Sequence, residues 1–451
     1  MEEEKSQNLV DAVRRKVRSS VTAKLVVVGI VLLLCQIPVA MISGLRLERM
    51  GRASSVESEV ASKWGKAQQI TGPLLELPVS RQKVVETRKE GPRTVTEHDV
   101  LHVSPENIEI KGSLAPEIRY RGIYEVILYR AELTLRGTFS GSRRVPDDGR
   151  NWKISGEGGH LTLGVGDIKG ITDIAVMIDG KVCRALPGIG VPRKGRSLSG
   201  GIDVPLPGTP GGNSGRPLNF EIRLRLNGCR SLLVYPVGRT TRMDLASTWA
   251  SPSFSGGFLP ERRTITPEGF SASWVINEFN RDCPASWIGT GVSFSDDQYA
   301  GVDLLKTVNP YALVARAVSY DLLIFIIVLL FLLVAEKLCG SWVHPLQYFV
   351  AGLSLVLFYS VLLALSEHIS FNASYAVSAA VVAALGGFYA RLIFGSLKTA
   401  LGMFCVMMLS YGVIFVILRL EDYALLAGSG VLVILMAVLM GFTGRLNRRA
   451  E

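Results

Sequence analysis

Glu97, His98, Asp99 and His102 form the densest group of metal-ligand side chains in the sequence. On a strand His98 and His102 share a face yet lie about 13 Å apart, too far for one ion, so solvated surface is favoured over metal binding. Ser366, Glu367 and His368 place an ionisable pair beside a long apolar run, where such groups invite a functional reading. Three consecutive helical side chains point about 100° apart and cannot form a catalytic triad. Helix capping or an interfacial hydrogen bond is the favoured role for them, and for Glu421 and Asp422 before the last apolar run. The six cysteines show no C-x-x-C spacing, which disfavours zinc. Cys183, Cys229 and Cys283 fall in the middle of the chain, where an oxidising compartment would allow one disulfide, the pair undetermined. The Gly-rich stretch from Pro187 to Pro217 lacks G-x-x-x-x-G-K-[ST] and reads as a long loop, not a phosphate cradle.

The elements around these residues are dictated by the apolar runs. With 48% hydrophobic residues in 451, runs of about 20 apolar residues, enough to cross a bilayer, begin at Leu25 and recur from Leu322. The first, residues 25–45, follows Arg14, Arg15, Lys16, Arg18 and Lys24 and is too long for a cleaved signal, so it is read as a signal anchor. Five more are placed at Asp321 to Ala335, Tyr348 to Leu365, Tyr375 to Ile393, Thr399 to Leu418 and Tyr423 to Phe442. Lys337, Arg391, Lys398, Arg445, Arg448 and Arg449 then share a side with the basic N-terminus, whereas the opposite short loops hold only Arg419. The positive-inside rule therefore makes both termini cytoplasmic. Ala376, Ala380 and Ala384 form one small-residue face of the fourth span, and Ala379, Ala383 and Gly387 another. The central thirds of the spans are aliphatic, without the charged groups or inverted repeat expected of a transporter. The net charge of +10 is scattered or parked at span ends, so nucleic acid is excluded as a partner.

Residues 46–318 would then lie outside. Phe220, Ile222, Leu224 and Leu226 alternate with Glu221, Arg223 and Arg225, and Ala131, Leu133, Leu135 and Phe270, Ala272, Trp274, Ile276 repeat the two-residue period. Asn227-Gly228 and Asp179-Gly180 are hairpin signals. The expected fold is a mixed α and β membrane protein: a basic N-terminus (1–24), the anchor helix (25–45), a large antiparallel β-sandwich-type periplasmic domain (46–318), a C-terminal five-helix transmembrane bundle (319–443) and a short tail (444–451). Arg46 to Gln69 could continue the first helix outward until Gly72-Pro73 stops it.

Nearly the whole length resembles the CreD family of bacterial cell-envelope integrity inner-membrane proteins. The resemblance is carried by Trp64-Gly65 with Gly72-Pro73, Arg121-Gly122-Ile123-Tyr124, Pro236-Val237-Gly238-Arg239-Thr240-Thr241, His344-Pro345-Leu346-Gln347-Tyr348, Ser366-Glu367-His368 and Leu420-Glu421-Asp422-Tyr423. The chain departs from the pattern at Ser319, where the family often has lysine. The resemblance implies an inner-membrane protein linked to envelope integrity and stress responses, with no established catalysis and no cofactor. It adds Arg239, His344, Gln347 and Tyr348 to the candidate residues.

The expected function is accordingly non-catalytic, with the bilayer and an envelope or cell-wall component as partners, no metal, and the oligomeric state open. A transporter or lipid-handling protein is the first alternative. A membrane enzyme using Glu367 and His368 as an acid-base pair is the second.

Overall fold

The computed structural model describes residues 21–87, 91–142, 145–147, 149–155, 158–188, 200–206, 216–290, 292–306, 309–420 and 424–447. The chain forms two compact units, one from Met1–Arg52 with Val308–Glu451 and the other from Ala53–Thr307.

The helical unit starts with α1, Val21–Trp64, whose last turns belong to the other unit. Continuation beyond residue 45 follows from the Glu, Ala and Lys content there. The helix ends at Trp64, and Gly72-Pro73 lies inside the first strand where its pairing shifts register, so that dipeptide is not the stop. After the sheet unit come α2 (Pro310–Val318), α3 (Asp321–Cys339), α4 (Pro345–Ser366), α5 (Phe371–Phe394), α6 (Leu397–Arg419) and α7 (Ala424–Asn447). Among the described residues, α1, α3, α4, α5 and α6 are long and apolar enough to cross a membrane. The sixth expected span falls in α7. Of the two small-residue faces of α5, Ala379, Ala383 and Gly387 are buried while Ala376, Ala380 and Ala384 are exposed. The buried face meets α6: a Cβ on Gly386 would stand 2.3 Å from Met407 Sδ, so the glycine permits the close approach.

The sheet unit holds β1 (Gln68–Thr87), β2 (Gly91–Val103), β3 (Asn107–Arg121), β4 (Tyr124–Phe139), β5 (Lys153–Ile154), β6 (Gly159–Val165), β7 (Ile171–Ile178), β8 (Lys181–Cys183) and β9 (Leu186–Pro187). It continues with β10 (Gly201–Leu206), β11 (Leu218–Cys229), β12 (Ser231–Tyr235), β13 (Thr240–Ser247), β14 (Pro252–Gly256), β15 (Arg262–Thr266), β16 (Gly269–Asn277), β17 (Ser286–Ile288) and β18 (Ala300–Leu304). One sheet runs β14-β18-β12-β1-β6-β10-β9, with β2, β5 and β17 branching from it; the other runs β15-β16-β13-β3-β4-β11-β7-β8. Apolar faces of both share one core, with Leu75, Leu161 and Leu232 from the first and Ile110, Leu133 and Trp274 from the second. The sandwich is thus present, but it is not purely antiparallel: β1 pairs parallel with β12, and β13 parallel with β3.

Of three local expectations, one holds and two need correction. Asp179-Gly180 does make the β7–β8 turn, at φ 48° and 77°, as a type I′ hairpin requires. Asn227-Gly228 does not turn: β11 runs through it, and the chain reverses at Arg230, φ 61°, to enter the other sheet. The loop from Pro187 to Pro217 is interrupted by β10, whose Ile202, Val204 and Leu206 join the core; residues 189–199 and 207–215 lie outside the described residues. The hydrophobic alternation of Ile202, Val204 and Leu206 wins over the surrounding Gly and Pro.

All six cysteines are free. Burial, with the Glu57 carboxylate beside it, pushes the Cys229 thiol up to about 12. Because the thiolate is the nucleophile, Cys229 is expected to resist maleimide at pH 8 while the half-buried Cys183 reacts. Peptide mapping after timed labelling checks this, and equal rates at the two positions would contradict it.

Candidate functional site

Helix α4 carries most of the candidate residues at its two ends. Its N-terminus is built by a capping box: His344 Nδ1 accepts from the Leu346 N–H at 3.2 Å, and Gln347 Oε1 accepts from the His344 N–H at 2.8 Å. Pro345 occupies the first helical position, where its missing N–H costs nothing. His344 and Gln347 therefore shape the helix entry. One residue further, Tyr348 donates its hydroxyl to Glu336 Oε2 at 2.7 Å.

Glu336 is 3% exposed. Its Oε1 accepts from Lys24 Nζ at 2.5 Å and from the Val343 N–H at 3.1 Å. Lys24 is 7% exposed, so α1, α3 and α4 meet in a buried ion pair whose lone pairs are taken up by a phenol and a backbone amide. Such pairing is what a buried charge requires.

At the other end, Ser366 turns its hydroxyl back onto the Leu363 carbonyl at 2.9 Å. Glu367 caps the helix C-terminus and accepts from the Tyr311 hydroxyl of α2 at 3.1 Å, with Arg49 Nη1 of α1 at 3.7 Å. His368 is exposed. Glu367 is thus engaged by a phenol and a guanidinium, and the structure places Glu367 and His368 in different surroundings. Glu421 and Asp422 lie outside the described residues.

The two polar clamps sit at opposite ends of the same helix pair. Lys24 and Arg49 are 25 positions apart on α1, about 37 Å of helix, and Tyr348 and Glu367 are 19 apart on α4, about 28 Å. The latter matches the hydrocarbon thickness of a bilayer. Between the clamps a Cβ on Gly352 would meet Cys35 Sγ at 2.7 Å and Val31 Cγ1 at 3.4 Å. Close helix contact one turn from Tyr348 and charge at the ends fix the register of α1 on α4.

Tyr311→Phe is expected to cost the helical unit about 1–2 kcal/mol, because Glu367 Oε1 loses a donor. Arg49→Ala is expected to cost under about 1 kcal/mol, since its side chain is 37% exposed and the pair is long. Thermal unfolding of the purified protein in micelles ranks the two, and the reverse order would contradict this account.

In the sheet unit, Arg239 makes two hydrogen bonds to Glu278, at 2.8 and 3.1 Å, and a third to Glu106 at 3.1 Å. The Glu278 hydrogen bonds, then the charge of Glu106, push the guanidinium further up, and the same contacts hold the Glu278 carboxyl low. Next to it, the buried Arg281 donates to the carbonyls of Gly238 and Cys283. Arg239 here joins the β13 start to the segment after β16.

The early acidic-histidine cluster is split by packing. Glu97 pairs with Arg81, and His98 is exposed. His102 is buried, against the expectation of a solvated surface, because Trp287 of β17 stacks on its ring at 5.1 Å. Its Nδ1 stands 3.4 Å from Glu76 Oε1, near enough for an ion pair but without hydrogen-bond alignment. Among the described residues no group of three His, Cys, Asp or Glu side chains is arranged to hold a metal ion.

Lys24, Glu336, Tyr311 and Arg49 escaped the sequence reading. Lys24 and Glu336 border apolar runs, so each reads as a span end. The signal available was that the inferred topology puts these opposite charges at the same membrane face.

A family model described as inner membrane protein CreD matches residues 20–448. Inner membrane protein CreD of Escherichia coli (strain K12) is 30% identical over 422 residues, covering 93% of this chain and 91% of that protein. Among solved structures, the M1 zinc metallopeptidase from Deinococcus radiodurans overlaps 39% of this chain and 38% of its own, at 14% identity and TM-score 0.20. A putative nutrient binding protein from Legionella pneumophila overlaps 53% and 71%, at 9% identity and TM-score 0.22. Neither structural likeness carries weight at such scores.

Proposed function

Since the chain belongs to the CreD family of inner membrane proteins, we propose that it is a non-catalytic envelope-maintenance protein whose sheet unit is periplasmic and contacts an envelope component. One observation carries the reading: α1 is a single uninterrupted helix that supplies packing residues to both units. Lys24 and Arg49 clamp it within the helical unit, while Val56, Val60, Ala61 and Trp64 pack with Val126, Leu128 and Cys229 in the sheet unit. The topology has both termini cytoplasmic. It is supported by the Lys24–Glu336 contact, which sets the start of α1 beside the Lys337 end of α3.

The test is photocrosslinking in intact cells from several exposed positions of the sheet unit. Recovery of a wall or envelope component is the expected result; recovery of nothing from any face under wall stress sinks the reading. For the non-catalytic assignment, Glu367→Gln and His368→Ala variants that insert normally should keep the full envelope phenotype.

A second reading, transport or lipid handling by the bundle, draws on buried polar atoms without a partner: Gln36 Nε2, Asp321 Oδ2 and the hydroxyls of Tyr359 and Tyr411. Buried polar groups of this kind hold water or line a path. Flux assays in proteoliposomes with Asp321→Asn separate this reading from the first.

A further inference from the structure

The outer face of the eight-stranded sheet carries a groove of about 540 Å³, and its floor is ordered in rows. Cross-strand pairing lines up Thr240 of β13, Asn107 of β3, Thr138 of β4 and Asn219 of β11, with Asn277 of β16 extending the row. Their chain neighbours Ile108, Phe139, Phe220 and Ile276 face the core, so these amides and hydroxyls point outward. The parallel row two residues along reads Arg242, Glu109, Arg136, Glu221. Its charges alternate and cancel.

Building on the proposed envelope contact, we infer that this groove binds a neutral, extended β-linked glycan strand running across the strands. Three features select that class. Hydrogen-bonding side chains recur at the strand spacing of about 4.8 Å, nearly the advance per sugar of an extended β-1,4-linked chain. The Arg242–Glu109–Arg136–Glu221 row carries no net charge and Asp179 adds one carboxylate to the lining, so a polyanion would face Glu109, Glu221 and Asp179 and a polycation Arg136 and Arg242. The planar guanidinium, carboxylate and amide groups offer paired donors and acceptors suited to neighbouring hydroxyls. Arg136 and Glu221 are held in plane by their own contacts at 3.1 Å. Thr138 donates to Asn219 Oδ1 at 2.9 Å, which leaves the Asn219 amide hydrogens for a ligand. Aromatic stacking contributes nothing here, because Phe220 is turned inward, so binding is modest and grows with chain length.

The experiment is calorimetric titration of the full-length protein in micelles with a β-1,4-linked N-acetylglucosamine hexamer, its dimer, an α-1,4-linked glucose hexamer and an acidic peptide of similar length. The β-linked hexamer should bind at least tenfold more tightly than the other three. Asn107→Ala and Asn219→Ala, both at exposed positions, should each weaken it roughly fivefold, the value of one hydrogen bond. Arg225→Ala, on the same face outside the groove, should leave it unchanged. Absence of hexamer binding, equal binding by the Asn variants, or preference for the acidic peptide overturns the proposal. If the hexamer fails while crosslinking in cells still recovers envelope material, the groove assignment falls and the broader reading stands. If the hexamer binds while crosslinking recovers nothing, the broader reading falls and the groove remains a glycan site.

Discussion

Glu336→Leu is expected to destabilise the helical unit by about 3–5 kcal/mol, the cost of leaving a buried charge without its partner. The variant strands Lys24, whose side chain is 9% exposed, and also removes the acceptor of the Tyr348 hydroxyl and of the Val343 N–H. Lys24→Leu alone should cost less, because Glu336 keeps those two donors. The double variant Lys24→Leu with Glu336→Leu should recover most of the loss, since two leucines pack where two charges had to be desolvated. Non-additivity above about 2 kcal/mol in that cycle, measured by unfolding in mixed micelles, is the signature of a coupled pair. Additive losses would mean that α1 is not held by this clamp.

The same pair shows where reading the sequence stops. Apolar runs disclosed the helices because crossing a bilayer demands length and composition together, and both are local. The ends of those runs were ambiguous for the same reason: a charge bordering an apolar segment reads as its boundary, whether it meets solvent or a partner on another helix. Glu336 and Lys24 are 312 positions apart, and nothing local reports that they touch. Glu367 was singled out as an ionisable residue at the end of an apolar run, and the family pattern added to its priority, but its partners Tyr311 and Arg49 come from elements far away in the chain. In the sheet unit, period-two alternation marked Phe220 to Leu226 correctly as a strand with one buried face. It could not say that β1 would pair with β12 in parallel, since that choice is made by which strands the core brings together. His102 had the same parity as His98, yet one is buried and the other exposed, because only one of them lies under Trp287.

Gly228→Val is expected to cost the sheet unit about 3 kcal/mol, the upper part of the range for overpacking a tight site. Asn-Gly is the strongest short hairpin signal when the glycine is needed for a left-handed backbone. Here the glycine serves a different purpose. Gly228 lies opposite Tyr129 in the β11–β4 ladder, and a Cβ would fall 2.3 Å from the ring carbon Cζ and the hydroxyl oxygen. A flexible side chain could swing aside, but Tyr129 is fully buried and its hydroxyl donates to the Ser231 carbonyl at 2.6 Å. That bond ties β4 to the first residue of β12, the strand by which the chain passes from one sheet to the other. The ring therefore needs the empty space over Gly228 to reach its acceptor, and filling it should break the bond or lift β11. Gly228→Val should then cost much less in a Tyr129→Leu background, where no hydroxyl has to reach Ser231. An equal cost in both backgrounds, read from thermal unfolding of the full chain, would assign the glycine's role to the backbone instead of to the tyrosine.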